Sequence, residues 1–177
     1  MRRSWLICLD PCLRPKPLPN PRFTLLGFLN GVYNLDSTTA ITHNSSLTLC
    51  PDPLSIWGAF HLGVVEGVLF IDDSPWTVTP DDAPGCPFIW RARDLDTGLG
   101  IYGARHSGVM RFLGGGRIDG VFFSVPDGEG GWCECAFWGV RKSPWFVGRL
   151  PRDVASLKRQ FESFADVWAP YNDGLGT

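Results

Sequence analysis

A histidine and a glutamate flank a glycine turn in Phe60-His61-Leu62-Gly63-Val64-Val65-Glu66-Gly67. Imidazole and carboxylate are the usual side chains for proton transfer near neutral pH, so His61 and Glu66 are the candidate acid–base residues. Along an extended Ser55–Leu62, side chains alternate, which puts His61 on one face with Trp57 and puts Ile56, Phe60 and Leu62 on the other. Glu66 shares a face with Val64, Val68 and Phe70, where it is either a solvated edge charge or a buried acid with a raised pKa. Arg91 and Arg93 share a strand face opposite Phe88 and Trp90. Two parallel guanidiniums can hold a carboxylate or enolate, or else form a solvated face. Trp138 lies on a face with Trp132, Glu134 and Ala136, and the small alanine leaves room between two indoles for a flat ligand unless the indoles simply pack as core. These residues make one candidate constellation. His61 or Glu66 is the acid–base group, Arg91 or Arg93 holds an anion, and Trp57, Trp90 and Trp138 form the walls. It requires Trp57 and Trp90 to share one side of the sheet.

The strong catalytic motifs are missing: there is no nucleophile elbow, phosphate-binding loop, dinucleotide fingerprint or zinc-protease helix. Gly114-Gly115-Gly116 has no following Lys-Ser/Thr or helix, so it reads as a hairpin turn rather than a phosphate cradle. His43, His61 and His106 come from separate segments, and neither a metal nor a cofactor is expected. The six cysteines are Cys8, Cys12, Cys50, Cys86, Cys133 and Cys135. Their spacing leaves free thiols, one or two disulfides and a metal all open, although Cys133-x-Cys135 is poor zinc-knuckle geometry.

The elements that must position these residues are short strands and tight turns. Phe23–Phe28, Gly31–Leu35, Ser46–Cys50, Ser55–Leu62, Val64–Ile71, Phe88–Arg93, Gly98–Gly103, Gly108–Leu113, Arg117–Val125 and Trp132–Arg141 read as extended, with Thr77–Pro87 a loop. Such spacing predicts an antiparallel β-barrel or sandwich. Mid-strand Gly67 and Gly120, in two similar hairpins, predict sharp coiling or close backbone approach, as small barrels need. Val154, Leu157, Phe161, Phe164 and Trp168 make one helical stripe after Pro151. The expected organisation is a Pro-rich tail over 1–22, a β-barrel over 23–150, a helix packed on it over 151–168 and a frayed tail over 169–177.

Composition agrees with that frame. The chain has 177 residues, 44% hydrophobic and 13% aromatic, with 8 Trp and 12 Phe, enough for one aromatic-cored domain. Charged residues are 19% and the net charge is -2. These values exclude a coiled coil, a disordered tail and an electrostatic nucleic-acid binder. No apolar run reaches the ~18 residues that would span a membrane. The start, Met1 to Leu9, imitates a signal peptide, but its apolar stretch runs only from Trp5 to Leu9. A secretory core needs about 7–15 such residues, so a cytoplasmic protein is expected, with secretion and use of the Asn44-Ser45-Ser46 sequon as the alternative.

Ile56-Trp57-Gly58-Ala59-Phe60-His61-Leu62-Gly63 with Glu66-Gly67-Val68-Leu69 resembles the Trp-Gly-x-Phe-x-x-Gly hairpin motif of small β-barrel proteins of filamentous fungi. Phe88–Arg93 and Phe112–Gly120 are similar to the same family, so the resemblance spans residues 31–141. In that pattern position 61 is more often acidic, and His61 departs from it. The resemblance implies a fold and is silent on chemistry. By architecture alone the chain also looks like the calycin group, up-and-down barrels of lipocalin type. The expected function is therefore binding of an apolar small molecule in an aromatic barrel pocket, with a cofactor-free cyclase or isomerase of fungal secondary metabolism as the candidate activity. The alternative is a non-enzymatic binding protein for a lipid, metabolite or carbohydrate, or a structural β-domain. Self-association into a homo-oligomer is left open.

Overall fold

The computed structural model describes residues 28–37, 45–75, 79, 84–142 and 152–166. Nine strands follow one another: β1 (Gly31–Ser37), β2 (Ser46–Pro51), β3 (Ile56–His61), β4 (Val65–Ile71), β5 (Cys86–Asp94), β6 (Gly100–Ile101), β7 (Ser107–Gly114), β8 (Arg117–Pro126) and β9 (Trp132–Arg141). One helix, α1 (Val154–Asp166), comes after them. Successive strands pair antiparallel except β6 and β7, which both pair with β5, and β9 returns to β1. The short β6 and the longer β7 lie successively along the same edge of β5, at Ala92–Arg93 and Cys86–Ile89. The result is a closed eight-stranded antiparallel barrel, a calycin-like all-β architecture with one C-terminal helix. Closure removes the sheet edges that would otherwise template aggregation.

Strand boundaries follow the turn chemistry. β7 and β8 join through Gly114, Gly115 and Gly116, all at positive φ (76°, 61° and 75°), a backbone that only glycine adopts without strain. Two boundaries differ from expectation. β5 begins at Cys86, inside the segment read as a loop, because Cys86 and Pro87 pair with Met110 and Val109. Pro87 is exposed on the outer face. The helix is described from Val154 to Asp166, with Asp153 capping it by accepting the Ser156 amide at 2.7 Å. The predicted Pro-rich tail, the Phe23–Phe28 strand up to residue 27, the Asn44 sequon, Cys8, Cys12, His43, Pro151, Trp168 and the 169–177 tail lie outside the described residues.

Alternation sorts each strand into an inner and an outer face. The inner faces contribute Tyr33, Leu47, Leu49, Ile56, Phe60, Leu69, Phe88, Trp90, Met110, Phe112, Phe122 and Phe137, all buried. Phe122 lies at the centre of the rings, 5.0 Å from Phe60, 4.9 Å from Phe88 and 5.2 Å from Phe137. Glycines make room for this filling. A Cβ at Gly108 would overlap the Phe88 ring and the Val121 carbonyl, and one at Gly67 would overlap the Arg91 carbonyl. The predicted close backbone approach at Gly67 and Gly120 is therefore what the strands do.

A second apolar cluster sits outside the barrel. Leu157 and Phe161 of α1 pack against Cys50, Trp57 and Val68 on the outer faces of β2, β3 and β4. The helix thus buries the outer face of this part of the wall, whose inner face is already buried in the core.

Candidate functional site

The register carries one polar row across the outer wall. Ser46 of β2 is opposite His61 of β3, His61 is opposite Glu66 of β4, and Glu66 is opposite Arg93 of β5. Directly opposed residues on one sheet face bring their side chains within contact range. Arg93 donates to Glu66 Oε1 at 2.5 Å, a half-exposed ion pair. His61 Nδ1 accepts the Gly63 backbone amide at 3.2 Å. A neutral ring that accepts at Nδ1 carries its proton on Nε2, so His61 meets a ligand as a donor.

The next row, Thr48, Ala59, Val68 and Arg91, lies closer to α1. Arg91 is committed to the helix: it donates to the Phe161 carbonyl at 3.0 Å and stacks 4.2 Å above the Phe161 ring. In the third row, Trp57 packs against Phe70 at 4.5 Å and edge-on to Phe161 at 5.6 Å. The Trp57 indole N–H is buried with no hydrogen-bond partner among the described residues, while the Lys158 ammonium lies 5.6 Å over its ring and pairs with Asp52 at 3.0 Å.

Between the polar row and the helix, the small Ala59 leaves a groove of about 200 Å³. Its lining includes Ser46, Thr48, His61, Glu66, Arg152 and Gln160. Arg152 donates to Gln160 Oε1, which orients the Gln160 amide so that its NH₂ is left as a donor.

The structure thus brings His61, Glu66 and Arg93 together, but on the outside of the barrel. It does not assemble the walls expected around them. Trp57 is outside, beneath the helix, and Trp90 is inside, with its indole N–H donating to the Ser107 carbonyl at 3.0 Å. Trp138 is on the outer face of β9, three strands round the wall from His61. Trp57 and Trp90 are therefore on opposite sides of the sheet, and no shared aromatic pocket joins these residues. The lumen between them is occupied by side chains. At one barrel end, a crevice beside Tyr33, Phe112 and Ile118 has no volume that a water molecule could fill. Ala136, where the flat slot was expected, is buried. The groove opens at Ala59, whose signal in the sequence was a small residue between Trp57 and His61 on one strand face.

Two further polar features escaped sequence reasoning. Arg111 makes a bidentate pair with Asp119 across the β7–β8 hairpin, and the Asp119 side chain is 4% exposed. Their equal distance from the glycine turn was the available signal. His106 is buried between Trp90 and Trp132, with ring centroids 4.7 and 5.3 Å away. Its Nδ1–H donates to the Ser124 carbonyl at 3.2 Å and its Nε2 accepts from Arg105, an arrangement set by the β8 irregularity where Ser124 has φ 57°. Burial, chiefly, holds its pKa below the ordinary histidine value. Cys50, Cys86, Cys133 and Cys135 are free thiols, and burial raises the pKa of Cys50, Cys86 and Cys133. Among the described residues no group of three His, Cys, Asp or Glu is placed to hold a metal ion, and no helix is long and apolar enough to cross a membrane.

Fold and site define a closed antiparallel barrel with a packed interior and a polar groove on its outer wall. Compared with protein-family models, curated proteins and solved structures, the chain matches none.

Proposed function

We propose that the protein is a binding module for a small polar molecule, which it holds in the groove outside its wall. One contrast supports this reading. The interior is filled by rings such as Phe60, Phe88, Trp90 and Phe122, whereas the outer wall opens about 200 Å³ lined by hydroxyl, imidazole, carboxylate, amide and guanidinium groups. Polar groups that converge on a concave site fix a ligand's orientation and supply specificity. The apolar ligand expected in the lumen would have to displace that packing, so the reading moves outward and changes polarity.

The test is a thermal-shift screen of polar and apolar metabolites against the full chain and Ala59→Leu. A ligand at ten times its Kd stabilises by about 1.4 kcal/mol, a shift of about 2–6 °C. Polar compounds should give this shift with the parent protein and lose it in Ala59→Leu, which fills the groove. Apolar compounds that stabilise both proteins equally would refute the reading.

The cross-strand His61–Glu66 pair favours a second reading, a cofactor-free isomerase or cyclase working at the same groove. His61 would act there as the Nε2–H donor, and the Glu66 oxygen not engaged by Arg93 would act as the base. If His61→Ala and Glu66→Gln both keep full turnover on an identified substrate, that chemistry is excluded.

A further inference from the structure

The groove has a charge pattern that selects among polar ligands. Glu66 is paired with Arg93 and Asp52 with Lys158, while Asp153 caps α1 through its Oδ1. Arg152, by contrast, has a neutral amide, Gln160, as its side-chain partner among the described residues. Among the described residues, then, the Arg152 guanidinium makes no ion pair and stands at the groove beside neutral donors. These are the Gln160 NH₂, the His61 Nε2–H and the Ser46 and Thr48 hydroxyls. A planar guanidinium with adjacent N–H donors matches a carboxylate. Among the described residues that line the groove, a dianion would find no second cation, and it would face Glu66 as well. At the opposite rim, Glu66 uses Oε1 for Arg93 and retains Oε2 as an acceptor for a hydroxyl. The volume of about 200 Å³ is smaller than the ~300–1,000 Å³ of pockets for drug-sized ligands, which favours a short-chain ligand.

Resting on the binding-module reading above, we propose that the groove takes a small hydroxy-monocarboxylate, with its carboxylate on Arg152 and Gln160 and its hydroxyl toward Glu66. The assignment needs no new covalent step.

The experiment is an amide-resonance NMR titration of the full chain with sodium lactate, lactamide and sodium propionate at constant ionic strength. Lactate should shift Ser46, Thr48, His61 and Gln160 saturably. Lactamide, which lacks the charge, and propionate, which lacks the hydroxyl, should each bind about tenfold more weakly or worse. Arg152→Gln, at an exposed position, should weaken lactate about tenfold and leave lactamide unchanged. If lactamide binds at these residues as tightly as lactate, or Arg152→Gln has no effect, the carboxylate assignment falls and the groove reading stands. If no probe shifts these residues, the carboxylate assignment falls. If Ala59→Leu leaves the shifts intact, the groove itself is refuted.

Discussion

Phe122 is the residue on which a packed interior and an open lumen differ most. It is 0% exposed and meets Phe60, Phe88, Phe137 and, at 6.2 Å, Trp90. Replacing a buried Phe by Ala in a close-packed core costs about 3–5 kcal/mol, through lost transfer energy and the cavity left behind. Aromatic pairs add about 0.5–1.5 kcal/mol each beyond area, which places Phe122→Ala near the upper end, at about 4–5 kcal/mol. That is a large part of the ~5–15 kcal/mol that holds a domain folded. In urea, with a slope of about 2 kcal/mol per M, the midpoint should fall by about 2 M. The assay is equilibrium unfolding followed by tryptophan fluorescence and far-ultraviolet circular dichroism together. Phe122→Leu should fall between the two proteins. In an open lumen, the ring would be one wall of a cavity already present, and its truncation would widen that cavity at little cost. A loss below about 1.5 kcal/mol with an unchanged slope would therefore refute the packed interior.

Asp119→Asn should destabilise the barrel by about 3 kcal/mol, because it leaves Arg111 facing a buried neutral partner; thermal melts checking this should also find much of the loss recovered when both residues become apolar. His106 binds a proton less readily in the folded than in the unfolded state, since burial lowers its pKa. Its contribution is thus intact above about pH 6.5 and is lost progressively as the pH falls from there toward the folded-state value. Melts between pH 7.5 and 5 should slope less in His106→Phe than in the parent, and equal slopes would refute the assignment.

Much of the fold was legible because it rests on local rules. Alternation and glycine turns mark β7, β8 and β9 within a residue or two, and the 3–4 spacing marks α1. The pairs His61–Trp57, Arg91–Arg93 and Phe88–Trp90 share faces as their spacing requires. The candidate site was legible only in part. His61, Glu66 and Arg93 do meet, since they occupy neighbouring strands at matching register, but Trp57, Trp90 and Trp138 do not. Arg152, just before α1, and Gln160, within it, reach the groove from about a hundred residues further along the chain, which no local pattern reveals.

By itself, then, the sequence determined that two faces exist on each strand and which residues share them. Only the tertiary structure decided which face is inside. The physical reason lies in β3 and β4, where both faces carry apolar side chains: Ile56, Phe60 and Leu69 on one, Trp57 and Val68 on the other. A period of two distinguishes the faces but cannot tell a core from a helix-covered outer wall, because burial beneath either rewards the same residue types. Closure of β9 onto β1 and the docking of α1 settle it, and they turn the polar row of Ser46, His61, Glu66 and Arg93 toward solvent.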